Sequence, residues 1–189
     1  MSNKRTLAVL VENKPGVLDR VSSMFRRRGF NIDSLTVGRT ENSELSRMTI
    51  VVDGCSKRLE SQLRKLINVV SIDDVTSKPN VTRDLALIKV KVNSDTRSEV
   101  LQLCEVFRAN VVDAATESMI VEVTGAEDKI WAFLENLEPF GILEVVRTGV
   151  VAMARGNRAV STKEYKPRPY RNGSTPQPVF ATSNGPFVV

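Results

Sequence analysis

The residues best suited to chemistry lie near the start of the chain, in the run Glu12-Asn13-Lys14-Pro15-Gly16-Val17-Leu18. It stands between an apolar stretch ending at Val11 and a helical pattern that continues to Arg28. A strand that opens through a polar loop into a helix leaves unpaired backbone N–H groups at the helix start, and these favour a carboxylate or phosphate. Pro15 suits the first helical turn, where a missing N–H costs nothing, and Gly16 removes a side chain that would block a ligand. On these seven residues alone, an ordinary helix start without a ligand is the commoner outcome.

Other chemistry is narrowed by what the chain lacks. It has no histidine, which excludes Ser-His-Asp and Cys-His catalysis and His-ligated zinc. Cys55 and Cys104 stand far apart without a CxxC spacing, so neither a metal site nor a disulfide framework is expected. The net charge of +5 raises the question of nucleic acid, but residues 1–155 hold 22 Lys plus Arg against 21 Asp plus Glu. The surplus falls mostly after Arg155, which argues against a phosphate-neutralising domain. No apolar run approaches the length that spans a bilayer, and the N-terminus has no signal-peptide core, so a cytoplasmic protein is expected.

The elements that must hold the loop follow from hydrophobic period. A strand at 5–11 precedes a helix with Val17, Leu18, Val21, Met24 and Phe25 on one face and Arg20, Arg26 and Arg27 in solvent. Gly29 ends that helix as a C-cap residue. Strands at 31–39 and 46–53 read as a hairpin across Thr40-Glu41-Asn42-Ser43. A helix with Leu59, Leu63, Leu66 and Ile67 and a strand at 69–76 complete the order β-α-β-β-α-β.

After Lys78-Pro79-Asn80 the same order begins again. A strand at 85–92 precedes a helix carrying Val100, Leu103, Cys104 and Phe107. Short strands at 110–114 and 118–124, a helix with Ile130, Phe133, Leu134 and Leu137, and a strand at 142–152 follow. The chain is therefore expected to be α+β: two tandem ferredoxin-like βαββαβ units, each a four-stranded antiparallel sheet with both helices on one face. Apolar residues on the other face, as in Met48-Thr49-Ile50-Val51-Val52, need cover, so an oligomer is expected. The Pro-rich remainder, 159–189, reads as a flexible tail.

Three stretches together carry a resemblance: "ENKPGVL" at 12–18, "RGFNIDSLTV" at 28–37 and "LSRMTI" at 45–50. They resemble the ACT domain of the acetolactate synthase small-subunit family, and the second unit, closing on "RTGVVAMARG" at 147–156, is similar to that family's C-terminal domain. The resemblance implies an ACT domain at 4–77 and a C-terminal ferredoxin-like domain at 83–158. It also implies a regulatory subunit with no catalytic residues and no metal. In that family the partner is a large catalytic subunit, which carries thiamine diphosphate, FAD and magnesium and which the small subunit activates. A branched-chain amino acid, usually valine, binds at the ACT homodimer interface and inhibits.

Carried over residue by residue, the resemblance assigns Asn13 to the ligand's polar groups. It assigns Gly16 with the backbone of Val17 and Leu18 to the ligand's carboxylate, Asn31 to ligand bound across the dimer, and Ile32 to its side chain. Elementary recognition agrees, since an amino acid needs N–H donors, an oxygen acceptor and a small apolar wall, to which residues such as Val17 would contribute. The equivalent loop of the second unit, Asn93-Ser94-Asp95-Thr96-Arg97-Ser98, has no glycine and carries Asp95, so no second site is expected there. The alternatives are an ACT sensor serving a different enzyme or a transcription regulator and, more remotely, an RNA-binding sheet. The latter would need strand aromatics, and only Phe30 lies at a strand start.

Overall fold

A computed structural model describes residues 4–54, 56–157 and 160. Cys55 and the Pro-rich stretch from Ser161 onward lie outside the described residues. The chain forms two compact units, one ending at Pro79 and rejoined at Ala154, the other running Asn80–Met153.

The first unit contains β1 (Lys4–Glu12), α1 (Val17–Arg28), β2 (Ile32–Arg39), β3 (Leu45–Asp53), α2 (Ser56–Leu63) and β4 (Val69–Asp74). Its strands pair antiparallel in the order β2-β3-β1-β4. Period-two alternation sends Leu7, Val9 and Val11 of β1 and Met48, Ile50 and Val52 of β3 to one face. There they close a core with Val17, Val21, Met24 and Phe25 of α1 and Leu59 and Leu63 of α2, which puts both helices on that side. On the opposite face Ala8, Leu10, Thr49 and Val51 are also buried. Arg47, on β3 among these last residues, has its pKa lowered by burial, against the pull of Asp73 and Glu41.

The second unit contains β5 (Asn80–Lys91), α3 (Arg97–Phe107), β6 (Asn110–Ala114), β7 (Ser118–Gly125), α4 (Glu127–Leu137), β8 (Ile142–Arg147) and β9 (Val151–Ala154). The order is β6-β7-β5-β8, with β9 also on β5. Ala86, Ile88, Val90, Met119, Val121 and Val123 face α3 and α4. Leu87 and Val146, paired across the other face, are exposed. The duplicated α+β ferredoxin-like reading is thus borne out.

Several expected boundaries move. Leu18 does not join the buried stripe of α1 but is 46% exposed. α2 stops at Leu63, and Ile67 stands 63% exposed, because a turn closed by Leu66 N–H to Leu63 O carries the chain straight to β4. β5 starts at Asn80, ahead of the expected 85. The expected strand 142–152 is two strands, broken at Thr148-Gly149-Val150, where Gly149 takes φ 81°.

Candidate functional site

β1 hands the chain to α1 through Asn13-Lys14-Pro15-Gly16, and that loop is tied at both ends. The Asn13 N–H donates to Glu44 O at 2.7 Å and its Nδ2 to Ser43 O at 2.9 Å, which fastens it to the β2–β3 turn. Lys14 N–H donates to Glu12 O at 3.0 Å, and Val17 N–H to Lys14 O at 3.3 Å. Gly16 is the N-cap, left-handed at φ 78°, and its carbonyl accepts from Arg20 N–H at 3.1 Å. Pro15 therefore lies before the cap, not inside the first turn as expected. A left-handed Gly16 redirects the chain one residue later than a proline start would.

This helix start has no side-chain cap. The N–H groups of Gly16, Leu18 and Asp19 find no acceptor among the described residues. They form a cluster of donors at the positive end of the α1 dipole, and a carboxylate is the group that such a cluster suits. A Cβ built on Gly16 would meet nothing within 4 Å, so the space above the cap is open.

A polar network below the loop escaped the sequence reading. Glu12 is 3% exposed, and its carboxylate accepts from Asn68 Nδ2 at 2.6 Å with Lys14 Nζ at 3.4 Å. Asn68 Oδ1 in turn accepts from Arg20 Nη1 at 2.7 Å, while Asn68 O takes the Glu12 N–H at 2.9 Å. Arg20 is exposed, as expected, and at the same time braces the loop through Asn68. The partners are 56 and 48 residues apart in sequence, so no local spacing could announce them.

The structure sorts the expected site residues. Asn13, Gly16 and Leu18 gather at the loop, with Leu18 presenting its side chain to the surface. Val17 turns its side chain into the core at 5% exposure and donates its N–H to Lys14 O. Ile32 is half-buried against the core, and Asn31 is exposed just before β2.

Asn31 and Ile32 do not meet the loop within one chain. Ile32 pairs with Val52, whereas Glu12 pairs with Leu45, seven residues further along β3. At about 3.3 Å per residue, the two halves sit roughly 23 Å apart at opposite ends of the sheet.

Two comparisons decide the family. Residues 83–156 match the family described as the small subunit of acetolactate synthase, and residues 7–72 match the AHAS small subunit-like ACT domain. A protein of Archaeoglobus fulgidus named as a probable acetolactate synthase small subunit is 53% identical over 158 residues, covering 82% of this chain and 99% of that one. The chain belongs to the acetolactate synthase small-subunit family. The acetolactate synthase small subunit of Mycolicibacterium smegmatis is 51% identical over 82% of this chain and 93% of its own length. The crystal structure of the acetolactate synthase small subunit from Thermotoga maritima matches at TM-score 0.77 and 41% identity, over 82% of this chain and 99% of that one.

Membership makes this small subunit a non-catalytic, regulatory chain with an ACT domain, whose holoenzyme partner is a catalytic large subunit. Among the described residues no group of His, Cys, Asp and Glu is arranged to hold a metal, and no helix is long and apolar enough to cross a membrane.

Proposed function

We propose that this small subunit is the feedback sensor of a cytoplasmic acetolactate synthase. In this reading it activates the catalytic subunit, which carries thiamine diphosphate, FAD and magnesium. It then lowers that activity when a branched-chain amino acid, valine first, occupies the ACT domain. The observation that carries the reading is the separation of the two half-sites. A valine is far smaller than the distance between Gly16 and Asn31, so a site using both needs two chains.

β2 is the edge strand of its sheet. A second copy laid antiparallel along β2 brings its own Asn31 and Ile32 to the end that holds Asn13 and Gly16. The ligand carboxylate then meets the N–H groups of Gly16, Leu18 and Asp19, and its side chain lies against Leu18 and the partner's Ile32. Because each site is shared, occupancy biases the geometry of the dimer, which is the differential contact that allostery requires.

The test is to add the purified chain to the catalytic large subunit and assay acetolactate formation with and without valine. The expected result is stimulation by the chain and its reversal by valine. No stimulation overturns the activating role, and stimulation that valine leaves untouched overturns the sensor.

A further inference from the structure

Near neutrality over residues 1–155 conceals a division of charge. Lys4–Pro79 carries 14 Lys plus Arg against 9 Asp plus Glu, whereas Asn80–Met153 carries 7 against 12. In the first unit the excess is concentrated on the helices. α1 holds Arg20 and the run Arg26-Arg27-Arg28 against Asp19 alone. α2 and the turn that closes it hold Lys57, Arg58, Arg64 and Lys65 against Glu60 alone.

The basic side chains are poorly compensated. Arg64 reaches Glu60 at 3.8 Å, and Arg20 is held by Asn68. Arg26, Arg28, Lys57, Arg58 and Lys65 have no ion pair among the described residues. The helix dipole accounts for the basic run in the last turn of α1. It does not account for Lys57 and Arg58, which stand in the first turn of α2, a turn without an acidic residue. Like charges gathered against their local preference cost stability, and a complementary surface would recover it.

The basic end of α1 is grooved. Adjoining grooves of about 340 and 480 Å³ run beside α1 where the turn after α2 approaches it, and both are lined by Arg27, Lys65 and Leu66. Met24 lines the smaller one. An apolar floor with a cationic rim suits a segment that brings one apolar side chain among carboxylates.

We propose that this basic face of α1 and the turn after α2 is where the subunit receives an acidic segment of the catalytic large subunit, with an apolar side chain seated over Met24 and Leu66. The inference rests on the regulatory reading above and names its contact surface. The β2 edge is the one proposed to join a second copy, which leaves the helical face to a different partner. That face also has the right connection, because α1 starts at the Gly16 cap and ends in Arg26-Arg27-Arg28. One rigid helix of 12 residues, about 18 Å long, joins the effector loop to the basic cluster.

The experiment compares binding of the purified catalytic large subunit to the full chain and to Arg27→Glu/Lys65→Glu, at low and high ionic strength. Arg83→Glu, an exposed charge of the second unit, is the control. The expected result is affinity weakened by roughly tenfold or more in the double variant, a flatter salt dependence, and Arg83→Glu within about twofold of wild type. A valine-induced rise in melting temperature that survives in the double variant shows that its ACT domain is intact. If that rise is lost, Arg27→Gln/Lys65→Gln decides the matter by the same comparison.

Equal binding by wild type and variants at both ionic strengths overturns the surface but leaves the regulatory reading standing. Failure of the wild type to bind at all overturns that reading itself. Salt-sensitive self-association of the chain alone, abolished by the double variant, would assign the face to the acidic unit of a second copy and also overturn the proposal.

Discussion

The two units place an asparagine four residues before a helix, Asn13 before Val17 and Asn93 before Arg97, and put it to opposite uses. Asn93 turns inward. Its Oδ1 accepts from Asp95 N–H at 3.0 Å, Thr96 N–H at 2.8 Å and Thr96 Oγ1 at 2.9 Å, while its own N–H donates to Thr96 Oγ1 at 3.0 Å. Arg97 then clamps the loop through Nη2 to the carbonyls of Ala115 and Thr116. Asn13 turns outward to Ser43 O, and a left-handed glycine takes the cap. Asn93 takes up the N–H groups of Asp95 and Thr96 before its helix, whereas the Gly16 N–H stays open before α1, and both helices start without a side-chain cap. A duplicated fold thus carries two versions of the same turn, and the difference lies in which partner the asparagine takes.

Gly16→Asp should break the comparison most completely. It puts a carboxylate where the ligand's should lie, and a valine-induced shift in melting temperature should vanish. Strain in the left-handed cap adds a stability cost of about 1 kcal/mol. Gly16→Ala sharpens the result: with nothing within 4 Å of its Cβ it carries the strain without the charge, and most of the valine shift should persist. Equal loss in both variants would argue for strain over charge.

Asn93→Ala comes next, with about 1–2 kcal/mol lost in chemical denaturation as three accepted bonds disappear. The valine response should not move, and a changed response would mean that the second loop is not merely structural. Asn13→Ala should cost about 1 kcal/mol and also weaken the valine shift, since the loop is released from the β2–β3 turn.

The smallest effect concerns Cys104, which occupies in α3 the place that Met24 occupies in α1, counted from the helix start. Burial raises its thiol above the ordinary 9.0. The folded chain therefore keeps a proton that the unfolded chain releases, so this contribution is intact below pH 9.0 and stability falls as pH rises beyond it. In a C55S background, thiol labelling of Cys104 near neutral pH should wait for unfolding, and prompt labelling of the native protein would contradict its burial.

Much of the loop's character was legible from local chemistry. Gly16 before an apolar helical stripe marks a helix start, and the absence of a Ser, Thr or Asp at the cap leaves its donors open. What escaped was long-range. Glu12 reads as the first residue of a polar loop, and only its place in β1 and its pairing with Asn68 reveal a buried carboxylate supporting that loop. Arg20 reads as solvent-facing by helical period and is exposed, but its hydrogen bond to Asn68 beyond α2 is invisible to that period. Leu18 falls on the apolar stripe by spacing yet lies at its margin, 46% exposed beside the buried Val17.

By itself the sequence determined the duplicated βαββαβ order, the contrast between a glycine-bearing and a glycine-free loop, and the motifs that lead to the small-subunit family. These rest on period, capping and turn chemistry, all of which act within a few residues. Only the tertiary structure decided that Asn31 lies at the far end of the sheet from Gly16, and that basic residues of α1 and Lys65 of the turn after α2 line the same grooves. Strand register and helix docking are set by which apolar faces close over one core, and that choice joins residues dozens of positions apart.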